Sequence, residues 1–290
     1  MRWGRWIVLA LLVVAEAFVL YGIVVVTTGV TGSQWNWQGG IGGPFEAKEE
    51  VFLPLGNAAL VEVHNDMGKV IVQSASGDAI VGVQATKRGF GFSNTKAEEA
   101  LALVDVTVEK TADGYKVVAD GPNSWYGRAP RADLVVTLPA GAAVQVQANM
   151  GSVRVEDVTA NINIDADMGS IDLSDVKGNI IVEANMGSVE LKNAIVTDKL
   201  DVSADMGSID FQGRFGQENR IECHMGSIDV ELAPNHPALD LFAAWKMGSM
   251  NNKVTFSGET QKRSARGVLG TGAVQGSLTV SADMGSITIK

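Results

Sequence analysis

The sequence is poor in the residues that most chemical sites require. Among 290 residues it has one cysteine, Cys223, and three histidines, His64, His224 and His236. One cysteine permits no disulfide within the chain, so cysteine use neither indicates nor excludes an oxidising compartment. No histidine lies in a catalytic or metal-binding motif, and the carboxylates fall at repeated positions rather than in one unique pair. We therefore predict no catalytic, cofactor or metal site, and a protein that is not an enzyme.

Positive charge is scarce as well. The chain has 23 Lys and Arg against 33 Asp and Glu, which gives a net charge of −10. Nucleic acid is excluded as a partner, because binding to phosphates needs clustered Lys and Arg. Glycine is abundant, with 33 residues. Together with frequent Val and Ile, it favours many short strands joined by tight turns.

A single long apolar run lies near the N-terminus. Residues 6–26 read WIVLALLVVAEAFVLYGIVVV, which is long enough to cross a bilayer as a helix. Arg2 and Arg5 precede the run, and no Lys or Arg follows before Lys48, so the positive-inside rule places the N-terminus in the cytoplasm. We predict a single-pass cell-membrane protein with an extracytoplasmic C-terminal domain. A signal peptide cleaved after residues 15–17 is the alternative, although the apolar run continues beyond that point.

An internal repeat organises the rest of the chain. A Met-Gly pair occurs eight times, and from Met150 to Met247 the steps are 18, 18, 20, 19 and 22 residues. Small residues lie two positions before six of these methionines and apolar residues lie four positions before them, with polar residues between, which is typical of a strand with one buried face. The eight methionines are Met67, Met150, Met168, Met186, Met206, Met225, Met247 and Met284.

The alternation changes phase at each Met-Gly pair. The next apolar residues lie three and five positions after the methionine, as at Ile171 and Leu173. The chain must therefore bend, and a glycine such as Gly169 permits the bend because it adopts a positive φ at little cost. Units of this kind bury their apolar columns only when stacked about 4.8 Å apart. We predict an all-β fold, a single-stranded β-helix or β-solenoid with rungs of about 18–22 residues, preceded by one transmembrane helix.

The methionine column has two interpretations. Exposed thioethers are ligands for soft metals, whereas buried methionines simply fill a core. We predict that the methionines point inward, without His or Cys nearby, and that they pack the core. Cys223 falls in the small-residue column two positions before Met225, so we expect it to be a buried apolar side chain.

These patterns divide the chain into three segments. We assign residues 1–30 to a cytoplasmic stub and transmembrane anchor, 31–49 to a linker, and 50–290 to the solenoid domain. Within that domain, residues 50–140 form an irregular first part and 141–290 the regular repeats. The irregular part is predicted to contain a helix over residues 95–103, because Thr95 and Glu98 have capping-box spacing, and a hairpin around TADG.

Acidic residues also recur in register. Stacked like charges repel, so such columns could recruit Ca²⁺ or a cationic partner, or could form a solvated outer face. Both interpretations stay open. Four positions after the methionine lie Asp172, Glu190, Asp210 and Asp229, and one position before it lie Asp167, Asn185 and Asp205.

One loop combines aromatic residues with arginines. Residues 121–131 read GPNSWYGRAPR, and Phe90 and Phe92 lie in the nearby segment 87–92. Exposed aromatic and Arg side chains are typical of binding hot spots, so the loop is a candidate partner-binding site. Capping of the core or contact with the membrane would explain the same residues. The candidate residues are Trp125, Tyr126, Arg128 and Arg131.

The order of the motifs resembles a known family. VEVHNDMGKVIV at 61–72, RADLVVTLPAG at 131–141 and the repeated GSIDL-type units resemble the bacterial "putative adhesin" family of toastrack-like β-strand-repeat domains of unknown function. The resemblance covers about residues 50–290. It implies a right-handed β-helix at the cell envelope, a role in adhesion or envelope sensing, and no catalytic motif. The methionine departs from the family, which usually has Gly-Asp-Val or Gly-Ser-Ile without it.

We therefore expect a membrane-anchored, extracytoplasmic β-solenoid that acts in binding, adhesion or envelope sensing towards an unknown envelope ligand or protein. The alternative is a scaffold that self-associates through the open solenoid end at the last strand, SITIK. A carbohydrate-active β-helix enzyme is the less favoured third hypothesis.

Overall fold

The computed structural model describes residues 24–31, 45–75, 80–122 and 129–290, which contain twenty-one strands and one helix. Residues 6–23 of the predicted transmembrane run lie outside these ranges, and residues 24–26 fall in a strand, β1 (Val24–Thr31). In the described part of the chain, no helix is long and apolar enough to span a membrane.

The regular part of the fold is a stack of two-armed rungs. The first arm of each rung leads to its methionine, and the second arm follows the Met-Gly bend. First arms are β3 (Leu60–Met67), β9 (Ala143–Met150), β11 (Ile162–Met168), β13 (Lys177–Met186) and β16 (Glu218–Met225). Second arms are β4 (Val70–Ser74), β10 (Val153–Glu156), β12 (Ile171–Ser174), β15 (Ile209–Arg214) and β17 (Ile228–Leu232). Three long strands contain parts of both kinds, namely β14 (Val189–Met206), β18 (Ala238–Asn252) and β21 (Val274–Ile289).

Neighbouring rungs pair in parallel and in register. Met168 pairs with Met150 on one side and with Met186 on the other, and Ile171 likewise lies between Val153 and Val189. Because the repeats align residue on residue, each sequence position forms a column through the stack. The all-β solenoid prediction is confirmed.

The inward columns are the predicted ones. On seven of the eight rungs, positions four and two before the methionine and three and five after it are buried, as at Ile164, Ala166, Ile171 and Leu173, which are at most 1% exposed. On the end rung of Met247, Met250 and Asn252 are only partly buried. Cys223 is buried in the same column as Ala166, as predicted, and its Sγ donates a hydrogen bond to the carbonyl of Gly207 at 3.2 Å. These columns form one continuous core along the stack.

The order of rungs in space differs from the order in sequence at the C-terminal end. β21 pairs in parallel with β16 and β17 on one side and with β18 on the other. The last strand is therefore an interior one, so the prediction of an open edge at SITIK is wrong. The first arm of β18 pairs on its outer side with antiparallel β20 (Ser264–Leu269), which in turn pairs with β19 (Phe256–Thr260).

The N-terminal end has a similar cover. β7 (Gly114–Asp120) and β8 (Arg131–Leu138) add in parallel outside β3 and β4. Beyond β8 lie antiparallel β5 (Gly82–Gly91), β2 (Phe45–Pro54) and β1 in turn, and beyond β7 lies β6 (Asp105–Lys110). β6 and β7 form the predicted hairpin. β2 begins at Phe45, inside the segment assigned to the linker.

The single described helix, α1 (Asn94–Leu101), lies against β5. Its N-cap is Ser93, whose hydroxyl accepts from the amide of Lys96, so the helix starts one residue before the predicted Thr95. A Cβ added at Gly89 of β5 would lie 2.3 Å from the carbonyl oxygen of Ala97. Glycine therefore permits the close approach of the helix to the strand.

Candidate binding face at the methionine corner

The methionines lie on the outside of the solenoid, and the prediction that they point inward is wrong. Six are clearly exposed, with 41% to 59% of their surface accessible, and Met67 and Met150 are partly exposed. The cause is the bend, because strict alternation stops where the following glycine takes a positive φ, such as +142° at Gly169. The position before the methionine and the methionine itself then both face outward. The exposed six are Met168, Met186, Met206, Met225, Met247 and Met284.

We call this column the methionine ladder, and it runs through all eight rungs. Its order in space is Met67, Met150, Met168, Met186, Met206, Met225, Met284 and Met247. Seven strand spacings of about 4.8 Å give it a length of about 34 Å.

The column one position before the ladder alternates in charge. In the same spatial order it reads Asp66, Asn149, Asp167, Asn185, Asp205, His224, Asp283 and Lys246. Each aspartate thus has a side chain with an N–H group beside it on the next rung. The stacked like charges expected from the sequence are avoided, because a donor separates each pair of carboxylates.

Contacts along this column pair the rungs two by two. The Asn185 amide donates to Asp167 at 2.7 Å, and the Asn149 amide donates to Asp66 at 2.9 Å. Lys246 Nζ lies 2.7 Å from Asp283. His224 Nδ1 lies 3.4 Å from Asp205 Oδ1.

The acidic column of the second arm is less balanced. Asp172, Glu190, Asp210 and Asp229 pair in register on four successive rungs. Burial, and then the charges of Asp229 and Glu190, raise the pKa of Asp210. Lys192 Nζ lies 2.6 Å from Glu190 and so supplies a cation beside the column. In the described ranges, no group of three or more His, Cys, Asp or Glu side chains is arranged to hold a metal ion.

The predicted partner-binding loop is only partly within the described residues. Trp125, Tyr126 and Arg128 lie outside them. Arg131 begins β8, and its guanidinium carbon lies 5.2 Å from the centroid of the Phe90 ring, in cation–π geometry. Arg131 also lines, with Met67 and Met150, a groove of about 530 Å³ at the N-terminal end of the methionine ladder.

The two C-terminal histidines have different surroundings. His236 is half-buried, accepts the amide N–H of Phe215 at Nε2 (2.8 Å), and has Nδ1 2.6 Å from the carbonyl of Pro237. Burial lowers its pKa. His224 instead lies in the column beside the methionine ladder, with its side chain 59% exposed. The sequence contained that signal, because His224 directly precedes Met225.

The fold and this face define a class: a parallel β-solenoid that presents repeated side-chain columns on its surface. Residues 59–290 match the family described as "Toastrack DUF4097". The chain belongs to this family, as the sequence motifs indicated.

Comparison with solved structures finds similar chains of low sequence identity. A putative cell adhesion protein from Clostridium sporogenes is 13% identical, with a TM-score of 0.38, over 85% of this chain and 99% of that one. A putative adhesin from Bacteroides fragilis is 12% identical, with a TM-score of 0.39, over 84% and 97% of the two chains. A putative adhesin from Parabacteroides distasonis is 12% identical, with a TM-score of 0.37, over 83% and 96%. A search of curated proteins finds no significant match.

Proposed function

We propose that the protein is a membrane-anchored, extracytoplasmic, non-enzymatic binding or adhesion module whose contact surface is the methionine ladder with its flanking columns. The observation that carries this proposal is the outward position of the ladder. Contiguous exposed apolar side chains rimmed by polar groups are typical of interaction sites. Methionine is unbranched and polarizable, and is used where a surface must adapt to its partner.

The flanking columns add polarity to the same face. The Asp and Asn side chains lie on one side of the ladder, and a column of serines such as Ser170 and Ser188 lies on the other, beyond the glycines. An apolar stripe between polar columns provides both contact area and hydrogen-bonding groups. The net charge of −10 favours a partner that carries positive charge.

The membrane anchor in this proposal rests on the sequence. Residues 6–26 form an uninterrupted apolar run apart from Glu16, and Arg2 and Arg5 precede it. An anchor of this orientation would hold the solenoid outside the cytoplasm, where adhesion and the sensing of envelope changes are both available to it.

The test is a binding screen of the full-length chain in lipid nanodiscs against envelope glycans, lipid vesicles and cationic peptides, with and without Ca²⁺. We expect Met186→Lys with Met206→Lys to weaken the binding about tenfold or more, because two charges interrupt the apolar stripe. The matched control is Ile181→Lys with Ile195→Lys. These isoleucines are 40% and 46% exposed near the same rungs but lie off the ladder.

Loss of binding in the methionine variant with retention in the control would support the proposed face. Equal binding by the two variants would show that the contact surface lies outside the methionine ladder. Absence of any ligand in the screen, with colonies or vesicles failing to adhere to the displayed protein, would contradict a binding or adhesion role.

A self-assembling scaffold is the second candidate. The second arm of β18, Gly248–Asn252, has no strand on its outer side within the described part of the chain. Exposed edges of this kind can pair with another chain. Sedimentation that shows monomers at every concentration would contradict this candidate.

A further inference from the structure

The spacing of the methionine ladder suits a shared metal ion. Met206 and Met225 pair in register on adjacent rungs, so their backbones are about 4.8 Å apart. Two metal–sulfur bonds of about 2.3 Å placed end to end span about 4.6 Å. A methionine side chain also has three rotatable bonds, so adjacent thioethers can converge on one ion without movement of the backbone.

The ladder is accessible to such an ion from solvent. Met206 and Met225 are 42% and 45% exposed. A thioether buried in the core would be unable to meet a hydrated ion. The outward bend at each glycine therefore changes these methionines from packing groups into available ligands.

A histidine lies at the same place, beside a carboxylate. His224 precedes Met225, and its Nδ1 lies 3.4 Å from Asp205 Oδ1, so a proton on Nδ1 would face the carboxylate and leave Nε2 as the ligating nitrogen. No described residue bonds its Nε2, whose lone pair is then free to bind a metal. A carboxylate next to the non-ligating nitrogen is the usual second partner of a metal-binding histidine.

The chemistry of this ligand set selects the ion. Thioethers are soft, neutral ligands that favour Cu(I) over hard cations such as Mg²⁺ and Ca²⁺. Asp205 and Asp283 lie in the column beside Met206 and Met284, so a monovalent cation gains negative charge close by. Zn²⁺ prefers thiolate, imidazole and carboxylate ligands, and no three His, Cys, Asp or Glu side chains in the described ranges are arranged to hold an ion.

We propose that the methionine ladder binds a soft monovalent metal ion, Cu(I), and that its tightest site is formed by Met206, Met225 and His224, with Asp205 as the positioning residue. This inference rests on the proposed role of the corner as a binding face and names a ligand for it. The remaining methionines form weaker sites along the same ladder. The binding involves no electron transfer.

Ag(I) is the probe, since it is a soft monovalent ion that is stable in air. Ag(I) nitrate is titrated into the full-length chain in detergent and chloride-free buffer. Calorimetry measures affinity and stoichiometry, and NMR of ¹³C-methyl methionine follows each site. We expect saturable binding in which the Met206 and Met225 methyl signals shift first, and no heat above background with Zn²⁺ at the same concentration.

Substitutions then assign the ligands. Met206→Leu with Met225→Leu keeps the apolar surface but removes both sulfurs, so we expect the tightest site to be lost. His224→Gln and Asp205→Asn should each weaken that site, the latter by about 10- to 100-fold. Met250→Leu is the control, because Met250 is partly buried against the core at a position off the ladder.

Three results would overturn the inference: no Ag(I) binding by the unaltered chain, unchanged affinity in the double leucine variant, or equal loss in the Met250→Leu control. The double leucine variant also separates this inference from the proposed function. Leucine preserves an apolar contact face, so partner binding should survive in it while Ag(I) binding does not. The double lysine variant described above should lose both.

Discussion

The glycine after each methionine gives the sharpest test of the corner geometry. Gly187 has a φ of +149°, and a Cβ added there would lie 1.9 Å from the carbonyl oxygen of Gly169 on the preceding rung. An ordinary contact requires 3.4 Å or more, so the two backbones must separate by about 1.5 Å. That movement strains the hydrogen bond from the Gly169 amide to the Met186 carbonyl, which is now 2.9 Å.

We expect Gly187→Ala to lower the free energy of unfolding by about 2–6 kcal/mol. Roughly 1–3 kcal/mol comes from the disfavoured backbone conformation, and roughly 1–3 kcal/mol comes from the overpacked contact. For a domain of this size, such a loss corresponds to a fall in Tm of roughly 4–24 °C. The assay is thermal unfolding of the full-length chain, followed by far-ultraviolet circular dichroism.

Gly141→Ala is the matched control for the backbone term. Gly141 also has a positive φ, +76°, but a Cβ there would meet nothing within 4 Å. The Gly141→Ala variant should therefore lose only the part of the free energy of unfolding that comes from the backbone conformation, about 1–2 kcal/mol. Equal losses of Tm in the two variants would refute the argument that the neighbouring carbonyl excludes every residue except glycine.

Three further predictions concern side chains in the C-terminal half of the chain. The folded state lowers the pKa of His236 below its ordinary 6.5, so the unfolded chain binds more protons near that pH. The free energy of unfolding should therefore be highest above about pH 6.5 and should fall as the pH drops. In denaturant titrations, His236→Gln should flatten this dependence. Asn185→Asp places a third carboxylate between its two aspartate neighbours, so it should cost roughly 0.2–1 kcal/mol, and added salt should reduce that loss if repulsion is the cause. Burial raises the pKa of the Cys223 thiol, so a thiol reagent should modify it only after denaturation; rapid labelling of the native chain would place it outside the core.

The sequence pattern predicted the columns well because the period of a strand is two and the residues around each Met-Gly pair align at fixed offsets, while the register shifts lie farther from the pair. Ile164, Ala166 and Leu173 therefore lie where alternation placed them. The methionines were wrongly predicted to point inward because the alternation was extended one residue too far, into the bend. The helix starts at Asn94, one residue before the predicted Thr95, and its N-cap is Ser93, two residues before Thr95.

The spatial order of the last rungs could not be predicted from the repeat pattern. Periodicity defines the length of a rung but not the order of stacking, so it does not show that β21 enters between β17 and β18. Pairing with the residues on both sides decides that order. The sequence shows that His224 directly precedes Met225. It does not show that this column faces solvent, which is what makes His224 a candidate ligand.

Oxidation of each methionine by hydrogen peroxide in the native full-length chain, measured by peptide mass spectrometry, tests most directly that the ladder faces outward. We expect Met168, Met186, Met206, Met225 and Met284 to react at similar rates, because their exposures lie between 41% and 45%. Each should react several times faster than Met250, which packs against the core. Protection of the ladder methionines until the protein unfolds would contradict the outward ladder, and with it the proposed contact face and the metal site.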